Sequence, residues 1–136
     1  MKFLVDANVL SEATKPAPEP RVIEWLRVHE RDLVVDPIIL GELRFGILLL
    51  AKGKKRSALE RWFAGGVERL ECLAWDADTG LRWAELLARL RAKGHAMPIK
   101  DSLIATTALV HELTVVTRNG ADFRKAGVRL VDPFVM

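Results

Sequence analysis

Lys2-Phe3-Leu4-Val5-Asp6 begins as an unbroken apolar run and stops at a carboxylate. A short run without polar alternation describes a strand covered on both faces. Leu33-Val34-Val35 repeats the form and closes on Asp36-Pro37. Leu70 to Ala74, Thr114-Val115-Val116-Thr117 and Val128-Arg129-Leu130-Val131 supply three more strands. Helical spacing fills the intervals. Lys15-Pro16-Ala17-Pro18-Glu19-Pro20 excludes regular structure, because proline removes donors and biases its neighbours to extended shapes. Val22, Trp25, Leu26 and His29 then recur on one helix side, and a second helix is expected to start at Pro37 with Ile38, Ile39, Phe45, Gly46 and Leu49 on one side. Past Lys52-Gly53 a helix carries Leu59, Trp62 and Phe63 towards Gly65-Gly66. Asp76 or Asp78 caps a long helix with Trp83, Leu87 and Leu90, and Pro98 leads into another with Ile104, Ala105, Ala108 and Leu109. This alternation predicts one domain over residues 1–136, a three-layer α/β/α sandwich around a mostly parallel five-stranded sheet. Ligands of such sheets bind beyond the carboxyl ends of the strands.

Bulk properties narrow the function. The chain has 136 residues, enough to bury a core of its own, and a net charge of +3, a mild lean towards polyanionic partners. Cys72 is the only cysteine, which excludes an internal disulfide and a cysteine-rich zinc site; its setting between Leu70 and Ala74 reads as core. His29, His95 and His111 lack the paired spacing of zinc ligands. A charge at Lys2 and Asp6 comes too early for a secretory signal, and no apolar run nears the roughly 18 residues that span a bilayer, so the chain reads as cytoplasmic.

Four acids fall where stability does not ask for them. Asp6 directly follows the first strand. Glu42 interrupts the apolar side read from Ile38 to Leu49, where an unpaired carboxylate is costly. Asp101 precedes Ile104, Ala105, Ala108 and Leu109 at helical spacing, in the first turn near the positive helix end. Asp122 follows the fourth strand. Singly, Asp6 and Asp101 read as caps, Glu42 as a dipole partner turned outward, and Asp122 as a turn residue. Jointly they meet at one sheet edge, where crowded carboxylates raise one another's pKa unless a cation neutralises them. An all-oxygen donor set suits Mg²⁺ or Mn²⁺, and such an ion can activate water and neutralise a phosphodiester. No glycine-rich phosphate loop follows the first strand, and no serine has a histidine at a suggestive spacing. Lys100 and Arg118, beside the acids, and Arg44 are the candidate RNA contacts; the basic run from Lys52 to Arg56 reads first as a solvated face.

The chain resembles PIN domains, and among them the VapC/FitB-like toxins, over nearly its whole length. Leu4-Val5-Asp6-Ala7-Asn8-Val9-Leu10-Ser11-Glu12 is similar to the first acidic motif of that family and Ile39-Leu40-Gly41-Glu42-Leu43-Arg44-Phe45-Gly46 to the second. Pro98-Ile99-Lys100-Asp101-Ser102-Leu103-Ile104-Ala105 is similar to the third, and Thr117-Arg118-Asn119 with Asp122-Phe123 to the fourth. The resemblance implies an Mg²⁺- or Mn²⁺-dependent endoribonuclease with Asp6 and Asp101 as principal metal ligands and Glu42 completing the site. It also implies a homodimer, inhibition by a VapB-type antitoxin, and structured RNA substrates including transfer RNA. Ala7 stands where many relatives carry threonine or serine, which removes a hydroxyl and gives Asn8 more weight. Either Asn119 or Asp122, with Thr117 nearby, serves the fourth motif. Asp36 reads as the cap of the Pro37 helix. A catalytically idle module that binds RNA or protein is the competing class; the presence of Asp6, Glu42 and Asp101 argues against it. A phosphate-accepting signalling domain fits poorly, since Asp36 comes too early to be its acceptor.

Overall fold

The computed structural model describes all residues, 1–136. Five strands, β1 (Phe3–Val5), β2 (Leu33–Val35), β3 (Glu71–Cys72), β4 (Thr114–Val116) and β5 (Arg129–Val131), form one sheet in the order β3-β2-β1-β4-β5. Every pairing is parallel, so the carboxyl ends of all strands lie along one edge. Seven helices connect them: α1 (Ala7–Leu10), α2 (Pro20–Val28), α3 (Pro37–Leu48), α4 (Lys54–Gly65), α5 (Ala77–Ala92), α6 (Ile99–His111) and α7 (Gly120–Arg124). Parallel neighbours require such crossovers, and the helices then cover both sheet faces.

The central strands explain their apolar runs. Leu4, Val5, Val34, Val35, Val115 and Val116 are all at most 1% exposed. The ladder continues one bond past several strand ends: Asp6 N donates to Val116 O at 2.9 Å, Thr117 N to Val131 O at 3.0 Å, and Leu73 N to Val35 O at 2.8 Å. Asp6 and Thr117 are therefore fixed by the sheet even though they lie beyond it.

Two expectations are corrected. The buried stripe of α3 is Ile39, Leu43 and Ile47, whereas Phe45, Gly46 and Leu49 face solvent. This helix is apolar nearly all round, so spacing alone could not choose its inner side. Glu42 is half-buried on the border between the two sides. Cys72 is exposed, not core, because the third strand is only two residues long and lies at the sheet edge.

Asp36 is wholly buried and caps α3. Its Oδ1 accepts from Ile39 N at 2.9 Å and its Oδ2 from the Thr107 hydroxyl at 2.6 Å, which ties the start of α3 to α6. Burial raises its pKa above the ordinary value, although Thr107 and the Ile39 N–H pull the other way. Asp36→Ala is expected to cost roughly 2 kcal/mol or more in thermal or urea unfolding, from the lost cap and the stranded Thr107 hydroxyl. The exposed cap Asp76, which accepts from Thr79 N at 3.0 Å, is expected to cost about 1 kcal/mol when made alanine.

Candidate active site

Asp6 is 2% exposed and caps α1. Its Oδ1 accepts from Ala7 N at 2.8 Å, and its Oδ2 accepts from the Thr117 hydroxyl at 2.7 Å and from Asn8 Nδ2 at 3.3 Å. Thr117 is wholly buried, and its Oγ1 in turn accepts from Asn119 N at 3.0 Å. That incoming bond leaves the hydroxyl proton free for Asp6. Asn8 Oδ1 accepts from Arg118 N at 3.1 Å, so its amide spans the gap between α1 and the segment after β4. Asn8, Thr117 and the backbone at Arg118 and Asn119 thus hold one carboxylate in one orientation.

Asp101 enters from the first turn of α6 and is buried. Its pKa is pushed up to about 6, first by burial and then by the negative charge of Asp6, against the pull of Lys100; Asp122 and Glu42 add to the rise. Burial also raises Asp6, with Glu42 adding to it while Thr117, the Ala7 N–H and Lys100 oppose it. The four acids named from sequence therefore share one electrostatic field. Asp122 lies half-buried in α7; the Asn119 side chain is exposed and caps nothing.

Glu42 completes the group. Its Oε2 pairs with the Lys100 ammonium, while its Oε1 is buried without a partner. Burial lowers the proton affinity of Lys100, but Glu42, Asp101 and Asp6 together outweigh it and the pKa is raised. Lys100 is thus the counter-ion of the cluster. Arg44 and Arg118 are engaged elsewhere: Arg44 pairs with Glu60 at 3.6 Å, and the Arg118 guanidinium lies 4.3 Å from the Phe134 ring centroid. Sequence reasoning did not single out Glu12, which is 4% exposed and anchors the proline-rich loop. Its Oε2 accepts from Glu19 N at 2.9 Å and its Oε1 pairs with Lys15 at 2.9 Å. A glutamate inside Val9-Leu10-Ser11-Glu12-Ala13 was the available signal.

No three acid, histidine or cysteine side chains stand at chelating distance of one another as they are. The chemistry of the set nevertheless fits a hard divalent cation. The donors are all oxygen, Glu42 Oε1 is an orphaned buried acceptor, and Asp101, its pKa raised first by burial, is raised further by Asp6, Asp122 and Glu42 against the pull of Lys100. Beside the acids, a groove of about 460 Å³ is lined by Asn8, Glu42, Phe45, Gly46, Leu59 and Trp62, among others. Phe45 in its lining is 63% exposed, and Leu49, four residues further along the chain, is 70% exposed.

A parallel sheet with acids gathered at its carboxyl edge defines the class, and the comparison with known proteins agrees: the PIN domain family model matches residues 3–128, so the chain belongs to that family. It is 33% identical to toxin FitB of Neisseria gonorrhoeae, over 97% of this chain and 98% of that one, and 31% identical to VapC ribonuclease Y4jK of Sinorhizobium fredii, over 97% of each. Among solved structures, the crystal structure of FitAcB from Neisseria gonorrhoeae superposes with a TM-score of 0.92 at 32% identity, covering 98% of this chain and 99% of that one.

The Asp101 shift has a definite sign. A carboxyl raised from 3.8 to about 6 binds its proton more tightly folded than unfolded. Stability is then lost as pH rises through that interval, and the full penalty stands above it. Without metal, Asp101→Asn is expected to raise stability at about pH 7.5 by on the order of 1 to 2 kcal/mol. The gain is expected to vanish near pH 4, as read by melting temperature at both pH values in EDTA.

Proposed function

We propose that this protein is a divalent-metal-dependent endoribonuclease and the toxin half of a VapBC-type toxin–antitoxin pair. The observation that carries the reading is the meeting of Asp6, Glu42, Asp101 and Asp122 in one field, with Lys100 the only cation paired within it. Asp6 and Asp101 hold the ion and Glu42 completes its shell, with Mg²⁺ or Mn²⁺ the fitting choices. When bound, that ion supplies water of lowered pKa and positive charge against the phosphodiester. The rest is done by the chain. Thr117 and the Ala7 N–H aim Asp6, Asn8 ties that carboxylate to the segment after β4, and Lys100 offers its ammonium to the incoming phosphate. Asp122, on α7, adds its charge to the field at Asp101.

An antitoxin of the VapB type occupies the apolar groove beside Glu42, covering Phe45 and Leu49 and closing the acids from RNA. The active unit is a homodimer acting in the cytoplasm. No helix of the chain is long and apolar enough to cross a membrane.

The test is cleavage of total cellular RNA by purified, antitoxin-free protein. Discrete fragments are expected with Mg²⁺ or Mn²⁺, and none with EDTA or with Asp101→Asn. Folded, metal-loaded protein that leaves RNA intact would instead place the chain among binding modules with an inert site.

A further inference from the structure

Positive charge is unevenly spread over this chain. Lysines and arginines total 21 against 18 acids, yet between Glu85 and Asp101 the sequence carries Arg89, Arg91, Lys93 and Lys100 with no acid at all. From Arg118 to Arg129 it carries four cations, with Asp122 the only acid. The fold packs these two segments together. Arg89 Nη2 donates to Ala126 O at 2.9 Å, and Lys125 Nζ donates to Ala96 O at 2.7 Å. Lys93 follows Arg89 by one helical turn, on the same side. Arg124 folds back along α7, its Nη2 lying 4.0 Å from where a β-carbon on Gly120 would stand. Arg91, Lys93 and Arg124 are exposed, and none joins an ion pair.

We infer that RNA flanking the scissile phosphate lies across this cationic wall, made by the last turn of α5 and by α7 on the Asp122 side of the site, with Lys93 and Arg124 as its principal phosphate contacts. The inference rests on the nuclease reading above. The favourable end of the helix dipole accounts for cations closing the 16-residue α5, but α7 has five residues and little dipole to offer. Lys125 is held by Ala96 O, but Arg124, exposed and without an ion pair, needs another reason. Phosphate neutralisation supplies one, since Lys and Arg release condensed counter-ions from the strand they contact.

The opposite flank has a different character. There Arg44 and Arg56 are spent on Glu60, at 3.6 and 3.0 Å, and Arg56 also donates to Leu50 O at 3.3 Å. The surface between them and the acids is the apolar groove. Lys52, Lys54 and Lys55 are free, but they follow the end of α3, on the order of 10 Å along its axis from Glu42. One flank suits a protein and the other a polyanion.

The test is binding of a labelled single-stranded RNA in EDTA, read by fluorescence anisotropy across a salt series. Lys93→Ala with Arg124→Ala is expected to weaken binding about 10-fold and to flatten the slope of log K against log salt by about 1.4. Lys125 stays, because it holds Ala96 O. Lys93→Arg with Arg124→Lys is expected to keep the wild-type affinity, and Lys52→Ala, Lys54→Ala, Lys55→Ala together to change little. Loss carried by the triple variant, an unchanged double variant, or no RNA binding by the wild type overturns the inference. Cleavage with metal is scored separately. Wild-type protein that binds through the wall yet never cuts keeps the wall as an RNA-binding surface but removes the nuclease reading and the scissile-phosphate register with it; cutting with an indifferent wall overturns this inference and keeps the nuclease reading.

Discussion

The hydrogen bond from the Thr117 hydroxyl to Asp6 joins residues 111 positions apart in sequence, and the site is organised around it. It exists because β1 and β4 are adjacent and in register, with Val5 opposite Val116. The parallel ladder then delivers the next residue of each strand to the same level of the sheet edge. Asp6 arrives with its backbone N–H bonded to Val116 O, and Thr117 with its own bonded to Val131 O. Side chains fixed in this way lose little further freedom when they meet. A buried carboxylate is tolerated at that point because its lone pairs are met by a hydroxyl and a backbone amide on either side.

The remaining acids are less comfortable, and that discomfort is the chemical content of the site. Asp101 and Glu42 come from two helices that pack against each other beside the sheet, and Lys100 offsets only part of their charge. Burial first, and then the neighbouring acids, raise the Asp101 pKa, and one Glu42 oxygen is left without a partner. A protein selected only for stability would replace such groups with apolar ones, since crowding of like charges in a poorly hydrated place costs free energy. Unsatisfied acids of this kind suit a cation, which is the role proposed for them.

Much of this was legible in sequence because parallel strands leave a plain mark. The three central strands, Phe3-Leu4-Val5, Leu33-Val34-Val35 and Thr114-Val115-Val116, are short runs without alternation, closed by Asp6, Asp36 and Thr117. The position of Asp101 followed from helical spacing inside a segment with clear polarity. The orientation of α3 did not, since Ile38 to Leu50 offers apolar residues on every side. Only packing against the sheet selects Ile39, Leu43 and Ile47. Glu42 reaches the site from the border of that stripe, for a reason other than the one its spacing suggested. Cys72 was misread because edge position is a property of strand order, which a local window does not contain. The Thr107 bond to Asp36 and the role of Lys100 as counter-ion are long-range pairings with no local signature.

The sheet order also governs when the site can exist during synthesis. Its middle strand is the first made and the two strands on the Asp122 side, β4 and β5, are the last, so β1 keeps one edge open until β4 at residues 114–116 can pair with it. Asp6 cannot be oriented, nor Asp101 brought beside it by a settled α6, before that closure. A growing chain therefore carries Asp6, Glu42 and Asp101 before the sheet can bring them to one edge, and the site comes together only with the strands made last.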